Sequence, residues 1–496
     1  MKRLPLFAAL ATLVVHLLAN AHYGFFRDEL YFIICGRRPD FGYVDQPPLV
    51  PMLAAGSQLF GASLFALRAV AAIFAAGGVY VTCLIVDEMG GSTFAKVLAA
   101  FLVATTPVLA AFGSRLCTDV AGLVFWPLIA LSVLRAIRGD QRSWLVAGVA
   151  FGIACEAKYT VIVYVAALLA GFVLAGRGRL LLNRWFAYAV LVGAAIAAPS
   201  LVWQKVHGFP ILEMVHNQQE FTSLVYSPVG YVLQQILETN PFFAPIWIAG
   251  VVCAFLRADL RWIGWTCVLL IGALALMHAK NYYAGNLYPL PIAVAAVLIE
   301  RRLLRQRLRW GLVIACVFAA LPALPLVLPV MRETQLAHVV AVLEPRLNIN
   351  LASNRGADAA LPQDFADMHG WPQIAASVAR VYNTIPAKER RRTAILASNW
   401  GEASAIDYYG RRYQLPRALS GANNYFLWGP GAFDGSIVIE VNGTCSEPHL
   451  FTIRHVGVAH VHSRWSMPAE TGIPISICER PREPLAAYWP HLKRYI

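Results

Sequence analysis

The acidic and basic side chains that could do chemistry fall in a few short segments. Arg27, Asp28 and Glu29 sit together in His22-Tyr-Gly-Phe-Phe-Arg-Asp-Glu-Leu-Tyr31. Asp45 lies in Gly42-Tyr-Val-Asp-Gln-Pro-Pro-Leu49, and Asp119 closes Ser114-Arg-Leu-Cys-Thr-Asp119. Lys158 lies in Glu156-Ala-Lys-Tyr159, and Lys280 opens Lys280-Asn-Tyr-Tyr283. Carboxylates opposed to lysines and an arginine suit a reaction needing a base to take a proton and cations to hold an anion. Each group also has a plainer reading. Interfacial charges anchor helix ends by snorkelling. Asp119 can be a helix cap beside Thr118, Pro47-Pro48 a helix start, and the tyrosines from 282 to 288 an aromatic belt. What favours chemistry is that several such groups are expected on one face, whereas the other face reads as nearly uniformly positive.

The elements that must position these residues follow from composition. The 496 residues are 58% hydrophobic and 14% charged, with a mean hydropathy of +0.56. Soluble proteins carry about 25% charged residues, so a soluble enzyme is excluded, as is a disordered or collagen-like chain. Lys and Arg number 41 against 28 Asp and Glu, a net +13. In a membrane chain that excess belongs to cytoplasmic loops facing anionic lipid, so membrane lipids rather than nucleic acid are the expected partner.

Charged residues act as punctuation. Uncharged runs join Arg3 to Arg27, Asp45 to Arg68, Arg68 to Asp87, Lys96 to Arg115, Lys158 to Arg177, Arg184 to Lys205, Glu238 to Arg257, Arg261 to Lys280, Lys280 to Glu300 and Arg309 to Arg332. Runs of about 18–22 residues suffice for a helix to cross about 30 Å of hydrocarbon. Two more helices are expected on either side of Arg142, over 119–136 and 143–157. The first run resembles a signal peptide, with Ala19-Asn20-Ala21 like a cleavage site, but the spans that follow favour an uncleaved helix. Placing the arginine clusters at 135–142, 177–184, 257–261 and 301–309 inside gives a cytoplasmic N-terminus and about eleven spans. Residues 46–67 then form a partial element leading into the second span. Segments 21–47, 112–118, the turn at Lys158, 204–240 and 280–286 all face outside.

Beyond residue 331 the apolar runs shorten. A transmembrane domain over 1–331 and an outer α/β domain over 332–496 are expected. The latter holds an amphipathic helix from Trp371 to Ile385 and strands at Thr393-Ala-Ile-Leu-Ala, Ser436-Ile-Val-Ile-Glu-Val and Pro474-Ile-Ser-Ile. Its Trp400, Glu402, Asp407, Tyr408 and Trp428 read either as a sugar or acceptor site or, preferably, as core aromatics with solvated acids. Ser420-Gly-Ala-Asn-Asn424 reads as a loop over the membrane part. Cys445 and Cys478 are that domain's two cysteines, and a disulfide between them is open if it lies in the periplasm. The other seven read as apolar packing.

Together these segments resemble a known family. Asp28-Glu29 after a first helix is similar to the acidic motif in the first outer loop of protein O-mannosyltransferases and aminoarabinose–lipid A transferases. Asp45-Gln-Pro-Pro-Leu49 resembles their acidic-x-Pro-Pro element, and Cys117-Thr-Asp-Val-Ala-Gly-Leu-Val-Phe-Trp126 the Thr-Asp opening the fourth helix of bacterial members. Ala157-Lys-Tyr-Thr160, Trp203-Gln-Lys-Val-His-Gly-Phe-Pro210 and Lys280-Asn-Tyr-Tyr283 also have counterparts. Asn399-Trp-Gly-Glu-Ala-Ser-Ala-Ile-Asp-Tyr-Tyr-Gly410 and Asn423-Asn-Tyr-Phe-Leu-Trp-Gly-Pro430 resemble bacterial glycosyltransferase family 39 proteins. The resemblance implies a GT-C fold and an inverting transfer of a sugar from a polyprenyl phosphate to a lipid, glycan or protein acceptor at the outer face of the inner membrane. It implies Asp28 as base with Glu29 beside it. Arg27, Asp45, Asp119, Lys158, Lys280, Tyr282 and Tyr283 are expected around the donor phosphate. Asp45 matches an acid that helps bind a metal in the aminoarabinose transferases. The partner histidine has only a loose match in His278, so a divalent ion is not a firm expectation. A transporter or flippase would show an internal repeat and mid-bilayer charges, which the sequence lacks. A non-catalytic lipid-glycan assembly protein is the other rival.

Overall fold

The computed structural model describes residues 3–20, 22–59, 61–221, 227–303, 305–347, 359–433, 435–445 and 451–496. Helix α1 (Leu4–Ala19) is followed by three shorter pieces: α2 (Arg27–Gly36), α3 (Leu49–Ser57) and the loop between them. The long helix α4 (Leu64–Glu88) starts at Ser63, whose side chain accepts a hydrogen bond from the Ala66 N–H at 3.1 Å and so satisfies an orphan donor of the first turn. Then come α5 (Thr93–Thr105), α6 (Pro107–Ser114), α7 (Gly122–Ile137), α8 (Ser143–Cys155), α9 (Thr160–Leu174), α10 (Arg184–Val206), α11 (Pro210–Phe221) and α12 (Pro228–Glu238). The helical part continues through α13 (Ala244–Leu256), α14 (Arg261–Leu276), a 3₁₀ segment (Asn281–Leu287), α15 (Pro289–Arg302) and α16 (Gln306–Ala320).

Among the described residues three helices are long and apolar enough to cross a membrane: α4, α10 and the stretch Gln306–Leu326. Two broken pairs raise the count to five: α5 with α6, bent by 64°, and Asn281–Leu287 with α15, bent by 51°. Each break coincides with a proline, Pro107 or Pro289, which cannot donate to the preceding turn. Six further apolar helices are only 10–17 residues long. The expected partial element at 46–67 is α3 plus the turn before α4, and Pro48 caps the start of α3. Arg68, read as the end of a run, lies inside α4 and is fully buried.

One end of this bundle collects the arginine clusters, but it is not uniformly positive. Glu88 pairs with Arg135 at 3.3 Å and Arg138 at 3.0 Å, Asp87 with Lys96 at 2.6 Å, and Asp259 with Arg257 at 2.7 Å. Glu300 there accepts hydrogen bonds from the Ser92 and Ala95 N–H groups.

The C-terminal part runs through α17 (Glu333–Leu347), α18 (Gln363–Ala366), α19 (Trp371–Thr384), α20 (Ala387–Arg390), α21 (Trp400–Tyr409) and α22 (Asn423–Trp428). Its sheet has the order β2-β1-β3-β5-β4. The strands are β1 (Thr393–Ala397), β2 (Ala418–Leu419), β3 (Ile437–Val441), β4 (Phe451–Val461) and β5 (Ile473–Pro481). Strand β1 pairs parallel with β2 and β3, while β5 pairs antiparallel with β3 and β4. Ile395, Ile439 and Ile475 form its core with Trp371, Ile374 and Val378 of α19, the apolar face of a helix on one side of a sheet. A Cys445–Cys478 disulfide ties the segment after β3 to β5. This core is continuous with that of the bundle through Phe25 and Tyr31. Phe25 meets Tyr408 edge-on at 5.0 Å, and Tyr31 meets Trp400 at 5.1 Å. Such aromatic pairs are worth about 0.5–1.5 kcal/mol each beyond the area they bury.

Candidate functional site

The end of the bundle opposite the arginine clusters brings the five expected outer segments together. Arg68 of α4 reaches Glu29 of α2, and the Leu116 N–H donates to the same carboxylate at 3.1 Å. The Leu49 N–H donates to the Glu156 carbonyl at 2.8 Å, and the Gln204 amide to the Tyr43 carbonyl at 2.8 Å. Asn281 donates to Glu238.

Glu29 is at the third position of α2. One oxygen accepts the Phe26 N–H at 2.8 Å, closing the helix start. The same oxygen accepts Arg68 Nη2 and the other accepts Arg68 Nε, each at 3.1 Å. Glu29 and Arg68 are both 0% exposed. Arg68 also donates to the carbonyls of Asn20, His22 and Gly24. Glu29 is therefore spent on the scaffold and does not face a substrate space, contrary to the expectation that it stands beside Asp28 at the reacting centre. Arg68 is the residue that sequence reasoning missed; the available signal was a single cation in an apolar run, read as a boundary.

Asp28 points the other way. Its side chain is 34% exposed and approaches Arg27 Nε at 3.5 Å, and Oδ1 is buried without a hydrogen bond among the described residues. It is within electrostatic reach of Asp45, Arg115 and Tyr282. Asp45 is half-buried and accepts the Tyr31 hydroxyl at 3.0 Å. Burial pushes its carboxyl up to about 7; the Tyr31 hydroxyl and its own N–H oppose the shift and Asp28 adds to it. The Asn424 side chain accepts the Val44 N–H at 2.6 Å, and the Asn424 N–H donates to Tyr31 at 3.2 Å. Asn424 is in the first turn of α22, not in the loop expected over 420–424, and supports the Tyr31–Asp45 pair from the C-terminal part.

Asp119 is in the turn before α7, only 4% exposed, and holds Lys158 at 2.6 Å rather than capping the helix. Lys158 Nζ lies 3.9 Å over the Tyr283 ring and 5.2 Å from that of Tyr282. Burial lowers the Lys158 pKa, but Asp119 and Tyr283 outweigh it and the net shift is upward. The Asn286 amide donates to the Asp119 carbonyl at 3.0 Å, and a Cβ on Gly122 would strike that amide. A small cavity of about 10 Å³ adjoins Asp119, Lys158 and Asn286.

Arg27 faces the outer part. It stacks 4.7 Å over Trp400 and lies 3.8 Å from Asp367. A Cβ on Gly401 would come within 2.8 Å of its aliphatic stem. Arg115 pairs with Asp364 of α18 at 2.7 Å over the Phe26 ring; it was quoted within a motif but given no role. Lys280 precedes the Tyr282–Tyr283 turn, and its ammonium makes no ion pair among the described residues. His278 is exposed after α14. Among the described residues no group of three or more His, Cys, Asp or Glu includes Asp45 or His278. The one such group, Glu440 with Cys445 and Cys478, contains the disulfide. Glu156 and Glu238, not singled out from sequence, are each pushed up to about 7, mainly by burial. Glu402, expected in solvent, is fully buried, its Oε1 held by Asn442 at 2.9 Å.

Residues 45–203 match the family described as dolichyl-phosphate-mannose-protein mannosyltransferase. No curated protein sequence matches. Among solved structures, ArnT from Cupriavidus metallidurans bound to undecaprenyl phosphate aligns over 95% of this chain and 97% of its own, with 14% identity and a TM-score of 0.63. Its apo form gives 0.59 at 15% identity over 96% and 97%. The Archaeoglobus fulgidus oligosaccharyltransferase tethered to an acceptor peptide gives 0.51 at 12% identity, over 84% of this chain and 64% of that one. The fold is thus the GT-C fold implied by the sequence resemblance.

Proposed function

We propose that the chain is a multi-pass membrane glycosyltransferase that moves a sugar, with inversion, from a polyprenyl phosphate to an acceptor hydroxyl at the outer face of the inner membrane. The six shorter apolar helices cross with the five longer spans, giving eleven, with the N-terminus cytoplasmic and the 332–496 domain periplasmic. The observation that carries this reading is the gathering of Asp28, Asp45 and the Asp119–Lys158 pair at one end of an apolar bundle. The match over 45–203 and the undecaprenyl phosphate bound by the structurally similar ArnT support it.

Asp28 is the base, because its carboxylate is partly open and one oxygen lacks a hydrogen bond. It takes the proton of the acceptor hydroxyl as that oxygen bonds to the anomeric carbon. The bond from that carbon to the phosphate oxygen breaks, and the electron pair leaves on the lipid phosphate. The transition state has oxocarbenium character, as in glycoside hydrolysis. Lys158, aligned by Asp119 and the Tyr283 face, stabilises the departing phosphate, with Lys280, which opens the Tyr282–Tyr283 segment, to assist. Asp45 and Tyr31 fix the loop facing the sugar. Among the described residues Asp45 and His278 belong to no group of three potential metal ligands, and the steps above are those of the chain's own residues.

The test uses purified protein in nanodiscs with a labelled polyprenyl-phosphate sugar and membrane extract as acceptor source. Asp28→Asn should lower transfer by roughly 10²–10⁴-fold with unfolding unchanged, the range for loss of a general base. Turnover near that of the native protein would remove Asp28 from the role.

A further inference from the structure

A second set of cations gathers at the other end of α2. Arg37 and Arg38 follow its last turn, Arg411 and Arg412 follow α21, and Arg417 precedes β2. Nine residues of helical rise put Arg37 roughly 13 Å from Asp28. Aromatic faces hold the guanidinium planes. Arg38 lies 4.2 Å over Trp428 and Arg37 5.3 Å over Tyr408. Arg417 donates from Nη2 to the Gly429 carbonyl at 3.1 Å.

None of these arginines pairs with an acid within ion-pair distance among the described residues. The acid that faces them, Asp407, is already engaged: Oδ1 by the Ala418 N–H at 2.7 Å and Oδ2 by the Tyr425 hydroxyl at 2.9 Å. Arg37 Nη1 is buried with no hydrogen bond. A buried unpaired donor on a cation is costly and calls for an anion or water. Burial lowers the Arg37 and Arg417 pKa values, and the neighbouring Arg411 and Arg38, respectively, add to the lowering. Stacked guanidinium groups keep their N–H edges free, and those edges match the oxygens of a tetrahedral dianion better than a single carboxylate.

We propose that Arg37, Arg38, Arg411 and Arg417 form a binding site for a phosphate-bearing group, closed between the loop after α2 and the outer domain. It is separate from the Lys158 cluster and does not depend on the transferase reading. The phosphate can come from a lipid headgroup or from a soluble monoester; the chemistry of capture is the same.

The experiment measures binding and thermal unfolding of the full chain in phosphatidylcholine nanodiscs. One arm adds inorganic phosphate, and the other replaces a fifth of the lipid with phosphatidic acid. Stabilisation by inorganic phosphate points to a soluble source, and stabilisation by phosphatidic acid alone to a headgroup; either supports the site if Arg38→Gln with Arg417→Gln weakens it at least tenfold. A complementary variant, Asp407→Asn, should tighten binding several-fold by removing the acid that, among the described residues, opposes these arginines. Direct dialysis of labelled phosphate against the native protein keeps the test valid should a variant fail to fold. No response to either probe, or equal binding in the double variant, overturns the proposal.

Discussion

Replacing Arg68 by methionine probes the device that fixes the first outer segment. Arg68 and Glu29 are both 0% exposed, so the substitution leaves a carboxylate in the protein interior with only the Phe26 and Leu116 N–H groups for company. Breaking a buried pair from one side costs about 3–5 kcal/mol. The carbonyls of Asn20, His22 and Gly24 lose a donor as well, which favours the upper half of that range. A chain of 496 residues unfolding as one unit has an unfolding entropy of roughly 1 kcal/mol per kelvin. The midpoint in detergent should therefore fall by about 4–5 °C. Glu29→Met should cost a similar amount. The double variant should cost clearly less than the two together, with a coupling of at least about 2 kcal/mol. Differential scanning fluorimetry of the four proteins gives the cycle. Additive single effects, or an Arg68→Met shift below 1 °C, would refute the buried-pair reasoning.

Lys158→Met strands the nearly buried Asp119 and should destabilise the fold by about 3 kcal/mol; adding Asp119→Leu should restore the melting point while transfer stays lost, checked by melting and transfer assays. Cys445→Ser with Cys478→Ser opens a loop of sequence separation 33, which on the chain-entropy account lowers stability by about 2–4 kcal/mol, read from denaturant unfolding. Burial pushes Glu402 up to about 7, the hydrogen bonds from Asn442 and Ser398 opposing it. A carboxyl raised in the folded state stabilises fully below its ordinary pKa, and that contribution is lost as pH rises through about 7. Stability should fall by the order of 3 kcal/mol between pH 4.5 and 7.5, and Glu402→Gln should flatten that slope in pH-dependent melting.

Much of this organisation was legible because charges in an apolar chain mark where helices end. The segments 21–47, 112–118 and 280–286 follow from that spacing; a hydrogen bond from Leu116 to Glu29 joins the first two, and the Tyr282 ring meets Phe112 edge-on at 6.1 Å. What was illegible depends on partners remote in sequence. Arg68 looked like a boundary because Glu29, 39 positions away, gives no local sign of reaching it. Asp28 and Glu29 are adjacent and chemically alike, yet a helix start turns one into a scaffold group and leaves the other open. In the outer domain β1, β3 and β5 showed as apolar runs. Strand β2 is two residues long, and β4 is an edge strand with mostly exposed or half-buried positions, so neither left a pattern. Glu402 was assigned to solvent because an acid in a first helical turn usually faces water. Here Asn442 and Ser398 supply its partners from the loops around the sheet.

Arg27 links these two regions physically. The same guanidinium approaches Asp28 in the bundle and Asp367 in the outer part, over the Trp400 ring. The buried Glu470 carboxyl, beside Glu402, also acts on it. The charge that reaches Arg27 from the outer domain therefore changes how strongly it holds Asp28. Among the described residues Arg27 is the cation in ion-pair distance of Asp28. Gly401 belongs to the same arrangement, because any side chain there would push the Arg27 stem away from Trp400. Two acids and a tryptophan of the C-terminal part thus surround an arginine of α2.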